Sequence, residues 1–329
     1  MLNYSDLRLR RFRKNQTIRD MFALSMPPPK KLIWPVFIVE GKDVKNPIKN
    51  MPNQFRMSVD ELLKEVEKVV SFGVGGIMIF AVPENRSLKS ENGSYSYFEN
   101  GITQTAVRAV KHTFPNLFVA TDVCLCSYTP HGHCGIIDFD GNVLNDETNE
   151  VLAKQSLSHA AAGADCVAPS AMMDGQVRCI RNILNENKFH DVILMSYSTK
   201  FSSSMYGPFR EAADSAPTYG DRKSYQADFR NSQTAILESL LDEAEGADIL
   251  MVKPALFYLD IINKIKERTL LPLAAYNVSG EYSMIHASAS CGYGDLYPMA
   301  RESLMSIKRA GADIILSYWA NQYDKILAF

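Results

Sequence analysis

The chain has 329 residues, a formal net charge of -2 and a pI near 6.3, so it carries no global positive field to gather nucleic acid or an anionic membrane surface. Hydrophobic residues at 46% and charged residues at 22% exclude wholesale disorder and leave ample apolar side chain for a large core. Residues 1–21 lack the apolar stretch of a signal peptide, and no run approaches the roughly 20 apolar residues of a membrane span, so a cytoplasmic protein acting on a small molecule is expected. In that setting the six cysteines read as metal ligands and reduced thiols rather than a disulfide framework.

In chain order, residues 1 to about 30 come first: a basic stretch (Arg8, Arg10, Arg11, Arg13, Lys14) ending in Pro27-Pro28-Pro29, which bars a regular helix from running into the first strand. This predicts an N-terminal arm, either a frayed end or a segment that wraps a neighbouring subunit. Residues 31–329 then alternate short apolar runs with amphipathic helical stretches. Eight runs read as strands: LIWPVFIV from Leu32, GGIMIFAV from Gly75, LFVATDVCL from Leu117, DCVAPS from Asp165, VILMSYS from Val192, DILMVKPA from Asp248, LPLAAYNV from Leu271 and DIILSYWA from Asp313. Their near-continuous apolar character suits parallel strands covered on both faces. Helices are predicted between them, for example over 58–72, 147–162, 230–245 and 298–310. Three helices end in a repeated Gly-Ala-Asp junction at Gly163, Gly246 and Gly311, with Gly73 a looser version, each glycine standing where a helix C-cap favours positive φ. Eight such units, with no GxGxxG to suggest a dinucleotide site, predict a (β/α)8 TIM barrel. The stretch 201–225, rich in Ser, Gly, Pro and Asp after the fifth run, predicts a lid.

Barrel enzymes carry their chemistry at the C-terminal strand ends. After the third strand Cys124, Cys126 and Cys134 follow a C-x-C-x7-C spacing that lets three thiolates share one zinc and leaves a tetrahedral position open. Reduced core cysteines, or a structural site completed by His131 or His133, are the alternatives. Lys200 ends the fifth run and Lys253 lies in the apolar sixth; a lysine desolvated there loses its charge readily and can form a Schiff base with a ketone, whereas a solvated or carboxylate-paired lysine could not. Arg210 and Arg222 in the 201–225 stretch suit a carboxylate clamp, and the hydroxyls of Ser279 and Tyr318 suit a second carboxylate. A one-lysine aldolase barrel and a structural zinc protein remain as rival readings at this point.

Longer strings narrow the choice. DVCLCSYTPHGHCG, MSYSTKF, MVKPA, APSAMMDG, GDRKSYQ, AYNVSGEY and LSYWA together resemble the 5-aminolevulinate dehydratase family over essentially the whole chain, in its zinc-dependent branch. The resemblance implies a lyase that joins two 5-aminolevulinate molecules into porphobilinogen for haem biosynthesis. Lys253 would bind the substrate supplying the propionate side and Lys200 the one supplying the acetate side. Arg210, Arg222 and Gln226 would hold the acetate-side carboxylate and Ser279 and Tyr318 the other, with Asp122 near the propionate-side amine. It also implies homo-octamers embraced by N-terminal arms, zinc on the three cysteines, and an allosteric magnesium at Glu238.

Overall fold

A computed structural model describes residues 7–328. All eight runs form strands: β1 (Leu32–Ile38), β2 (Gly76–Ala81), β3 (Phe118–Val123), β4 (Cys166–Pro169), β5 (Ile193–Lys200), β6 (Ile249–Lys253), β7 (Leu273–Asn277) and β8 (Ile314–Ser317). Each pairs in parallel with the next, and β8 returns to β1 through Leu32 opposite Ile315 and Ile33 opposite Leu316, so the sheet closes. The fold is a (β/α)8 barrel, as the sequence predicts. β1, β2, β4, β6 and β7 are buried along their whole length, which accounts for the lack of polar alternation in their sequences.

Outside the barrel, residues 1–6 of the expected arm lie beyond the described residues. Its remainder holds a 3-10 turn (Leu9–Arg13) and a short helix, α1 (Gln16–Phe22), capped by the Asn15 side chain. Leu9, Phe12, Met21, Phe22 and Leu24 are exposed on it. The large outer helices are α2 (Val59–Ser71), α3 (Ile102–Thr113), α4 (Asn145–Ala161) and α5 (Gln176–Glu186). After them come α6 (Gly207–Ala212), α7 (Ser232–Ala244), α8 (Leu259–Lys266), α9 (Ser279–Ser290), α10 (Leu296–Ala310) and α11 (Tyr323–Leu327). In α2 the burial of Leu62, Val66 and Val69 at helical spacing fixes the face turned to the barrel, and Asp60 and Glu61 in the first turn complement the helix dipole. No helix among the described residues is long and apolar enough to cross a membrane.

The Gly-Ala-Asp junctions close the bottom of the barrel by one repeated device. Gly163, Gly246 and Gly311 have φ of 99°, 102° and 122° and turn the chain from helix to strand. The following aspartate then bonds to the preceding strand twice. Asp165, Asp248 and Asp313 donate their backbone N–H to the carbonyls of Val119, Leu194 and Leu273. Their carboxylates accept the N–H of those same three residues, at 2.8, 2.8 and 2.9 Å. A cation from the helix that leads into the first strand of each pair completes the lock: Lys111, Arg181 and Lys266 respectively. The locks tie β3 to β4, β5 to β6 and β7 to β8, at the end opposite the candidate site.

A further pair of short strands has no counterpart among the predicted elements. Lys45–Pro47 and Phe55–Met57 form a small antiparallel pair whose second strand lies against the end of β1, with Phe37 opposite Arg56.

Candidate active site

The two lysines meet because β5 and β6 are neighbours. Lys200 and Lys253 are register partners at the C-terminal ends of those strands, after an irregularity between Ser196 and Thr199 that re-aims the last turn of β5. Both are buried, at 5% and 4% exposure, so neither snorkels to solvent. Lys200 Nζ donates to the Ser170 carbonyl at 2.5 Å. Lys253 Nζ sits in an aromatic cage, 4.2 Å from the ring centre of Tyr276, 4.9 Å from Phe209 and 5.0 Å from Tyr197, with Tyr206 and Phe80 farther out. Burial, and next the charge of Lys200, bring the Lys253 pKa down to about 7, so a large fraction is neutral amine near neutral pH.

Facing them from β3, Asp122 lines the same cavity with its Oδ1 unpaired. Burial raises its pKa, against the pull of Lys200 and Lys253. Just beyond, Cys124, Cys126 and Cys134 place their Sγ atoms within 4.8 Å of one another, all buried. No histidine or carboxylate among the described residues joins that group. His133 instead pairs with the Tyr225 hydroxyl (3.1 Å) and the Tyr219 carbonyl (3.2 Å), and His131 Nδ1 accepts the His133 backbone N–H. Hydrogen bonds from Cys124 and Cys126 hold the Cys134 thiol well below its ordinary range. Three soft donors, dry, with Cys134 favoured as the thiolate while its hydrogen-bonding neighbour Cys124 is pushed up, and with no fourth protein ligand among the described residues, fit a metal with an open position.

Segment 201–225 covers this mouth. Its root is stitched to the two strand ends: Phe201 donates to the Lys253 carbonyl at 2.9 Å and Ala227 to that of Lys200 at 3.0 Å. It is not the bare loop the composition suggests, since a 3-10 turn (Ser204–Tyr206) leads into α6, with Pro208 near the helix start where a missing N–H costs nothing. Cationic side chains bind the carbonyls it exposes. Arg56 reaches Ala212 and Glu211, and Arg222 reaches Ser215 within the segment and Gly132 in the loop after β3. Lys89 pairs with Asp214 at 2.9 Å. Arg210 and Arg222 line the cavity, and both keep an unpaired, buried Nε. Burial, and then Arg222, lower the Arg210 pKa. Two guanidiniums held together with spare donors are suited to an anion.

The remaining expected residues stand behind the cavity wall. Gln226 is buried with both amide atoms unpaired. Ser279 opens α9 and its Oγ accepts the Phe209 backbone N–H at 2.9 Å, while the Tyr318 hydroxyl lies 3.1 Å from that of Tyr276. Glu238 is elsewhere: on α7, half-buried in a surface cleft with Asp174, Asp242 and Glu245. Burial, then Asp242, raise its pKa to about 7, so it is not the freely solvated glutamate of an outer helix face. Sequence reasoning missed the cage. Tyr197, Tyr206, Phe209 and Tyr276 look like ordinary core aromatics until the barrel arranges them around an amine.

A closed parallel barrel with two desolvated amines, a thiol triad and a guanidinium pair at its C-terminal mouth defines an enzyme of the (β/α)8 class suited to ketone substrates bearing carboxylates. The sequence profile described as Delta-aminolevulinic acid dehydratase matches residues 6–326. Curated proteins of that name are similar throughout. That of Synechococcus elongatus is 48% identical over 324 residues, covering 98% of each chain, and that of Methanothermobacter thermautotrophicus is 49% identical over 324 residues, covering 97% of each. The crystal structure of delta-aminolevulinic acid dehydratase (porphobilinogen synthase) from Toxoplasma gondii ME49, in complex with the reaction product porphobilinogen, matches with a TM-score of 0.95 at 42% identity, covering 97% of this chain and 91% of that one. This chain belongs to the delta-aminolevulinic acid dehydratase family, a family of hydro-lyases.

Proposed function

We propose that this chain condenses two molecules of 5-aminolevulinate into porphobilinogen with release of two waters. One observation carries the mechanism: two buried lysines in register, one of them with its pKa near 7, share a cavity with Cys124 and Cys126, whose thiols cluster with that of Cys134. As neutral amine, Lys253 adds to the C4 ketone of the propionate-side substrate and expels water to form an imine; Lys200 does the same with the acetate-side substrate. Asp122 faces the propionate-side amino group. Arg210 and Arg222, with Gln226, hold the acetate-side carboxylate, and Ser279 and Tyr318 hold the propionate-side one. Cys124, Cys126 and Cys134 would hold a zinc, which as a Lewis acid draws electron density from the acetate-side substrate. Two covalent tethers remove much of the entropic barrier to joining two molecules, a contribution of up to about 7–11 kcal/mol at ideal geometry. Formation of the carbon–carbon bond and ring closure return both lysines to free amine.

Residues 201–225 act as the lid, opening for substrate and product. The acidic cleft at Glu238 would take a magnesium ion largely through water, a mode that needs few direct carboxylates and relieves their mutual repulsion. The exposed apolar side chains of α1 and its flanks, together with Leu237 and Leu241 on α7, support assembly into a homo-octamer through the arm.

The test is reduction with borohydride after incubation with 5-aminolevulinate, followed by peptide mapping. The expected adduct is on Lys253, and Lys253→Ala should abolish both trapping there and turnover. Trapping at full stoichiometry in that variant would contradict the reading.

A further inference from the structure

Glu281 is a fully buried carboxylate outside the cavity lining, and it ties together the three strand ends on the propionate side. Its Oε1 accepts the Leu256 N–H at 2.7 Å, three residues past Lys253 on the turn after β6. Its Oε2 accepts the Val278 N–H at 3.0 Å and Asn277 Nδ2 at 2.9 Å, at the junction of β7 and α9 beside Ser279. From there the network continues: Asn277 Oδ1 accepts from Ser317 Oγ at 2.9 Å, and Ser317 Oγ accepts the Trp319 N–H at 3.2 Å, bracketing Tyr318 after β8. Asn277 and Ser317 are also fully buried. Burial raises the Glu281 pKa to about 7 against the pull of the Leu256, Val278 and Asn277 donors, so its ionised form is held by those donors; an amide in its place would turn an NH2 towards another N–H and leave at least one donor unmet.

We infer that the Glu281–Asn277–Ser317 network is a positioning device that fixes Lys253, Ser279 and Tyr318 relative to one another, so that the propionate-side imine and carboxylate sites keep one spacing. Lys200, Arg210 and Arg222 hang from β5 and the 201–225 segment, and no hydrogen bond joins them to Glu281, Asn277 or Ser317; the segment meets the propionate side through Phe209, whose N–H donates to Ser279 Oγ. The effect of breaking it therefore falls first on the Lys253 site and reaches the Lys200 site only indirectly. This rests on the proposed roles of the two lysines.

The test follows borohydride-trapped adducts on Lys253 and Lys200 separately, over time and over 5-aminolevulinate concentration, in the wild type, Glu281→Gln and Ser317→Ala. The expected result is adduct formation on Lys253 about tenfold slower or more in Glu281→Gln, since displacements of ångström scale at a reacting group can cost up to about a hundredfold. The rate at Lys200 stays within about twofold, and Ser317→Ala shows a smaller shift of the same selectivity. Ser317→Ala carries the comparison alone if Glu281→Gln does not fold. Equal slowing at both lysines, or none at either, overturns the inference. A wild type that forms no adduct on Lys253 overturns the functional reading and this inference with it, whereas a wild-type adduct with unaffected variants overturns this inference alone.

Discussion

At the scale of single residues, the chemistry depends on what surrounds two amines. The pKa of Lys253 is near 7 because burial dominates and Lys200 adds repulsion, so protonation below that pH would remove the proposed nucleophile. The rate of trapping at Lys253 should fall with decreasing pH, approaching tenfold per unit well below 7. In Lys200→Met the repulsion is gone, the pKa of Lys253 rises, and the falling limb should move to higher pH; a limb that stays in place would show that Lys200 does not act on it. At the thiol cluster, Cys124→Ala leaves two soft ligands. Cobalt substituted at this site should show sulfur-to-metal charge-transfer absorption in the wild type and lose most of it in the variant. These lysines and cysteines were legible in the sequence because charge inside an apolar run and a C-x-C spacing are unusual. Glu281 and the aromatic cage were not, because a glutamate in a first helical turn and a tyrosine in a strand each have a commonplace explanation.

Among the elements, helix-to-strand junctions and the mouth-covering segment have different tasks. Asp248→Ala removes the acceptor for the Leu194 N–H and the partner of Arg181, and should cost about 1–3 kcal/mol in denaturant unfolding, with little change in activity because the lock lies at the far end of the barrel. Gly311→Ala forces a side chain onto φ of 122° with its Cβ 3.0 Å from Lys266, and about 1–3 kcal/mol of destabilisation is expected. At the mouth, Arg56→Ala releases the carbonyls of Glu211 and Ala212, and limited proteolysis should cut 201–225 faster, with KM raised more than kcat lowered. The junction glycines were readable because their motif recurs. The hairpin at 45–57 and helix α6 were not: strands of three residues carry no periodicity, and a Gly-Pro start reads as loop whether or not a helix comes after it.

For the molecule as a whole, the sequence carried the architecture well because a barrel is eight repetitions of one unit, and each apolar run identified in the chain became a strand. The site was legible as far as strand ends could be counted, since adjacency of the fifth and sixth strands follows from the topology alone. The limit came with contacts between distant segments. Nothing local announces that Arg56 and Lys89 clasp 211–214, that Ser279 meets Phe209, or that Glu238 is half-buried among acids. Such pairings depend on how loops from separate units converge over the mouth, and one chain does not spell that out. The central claim, that two lysines and a zinc-bearing thiol cluster join two molecules of 5-aminolevulinate, is most directly tested by scoring porphobilinogen through its colour reaction before chelation, after chelation and after zinc is restored. Product that disappears on chelation and returns with zinc is the expected result; no product under any metal, or full activity in the chelated protein, would contradict the account.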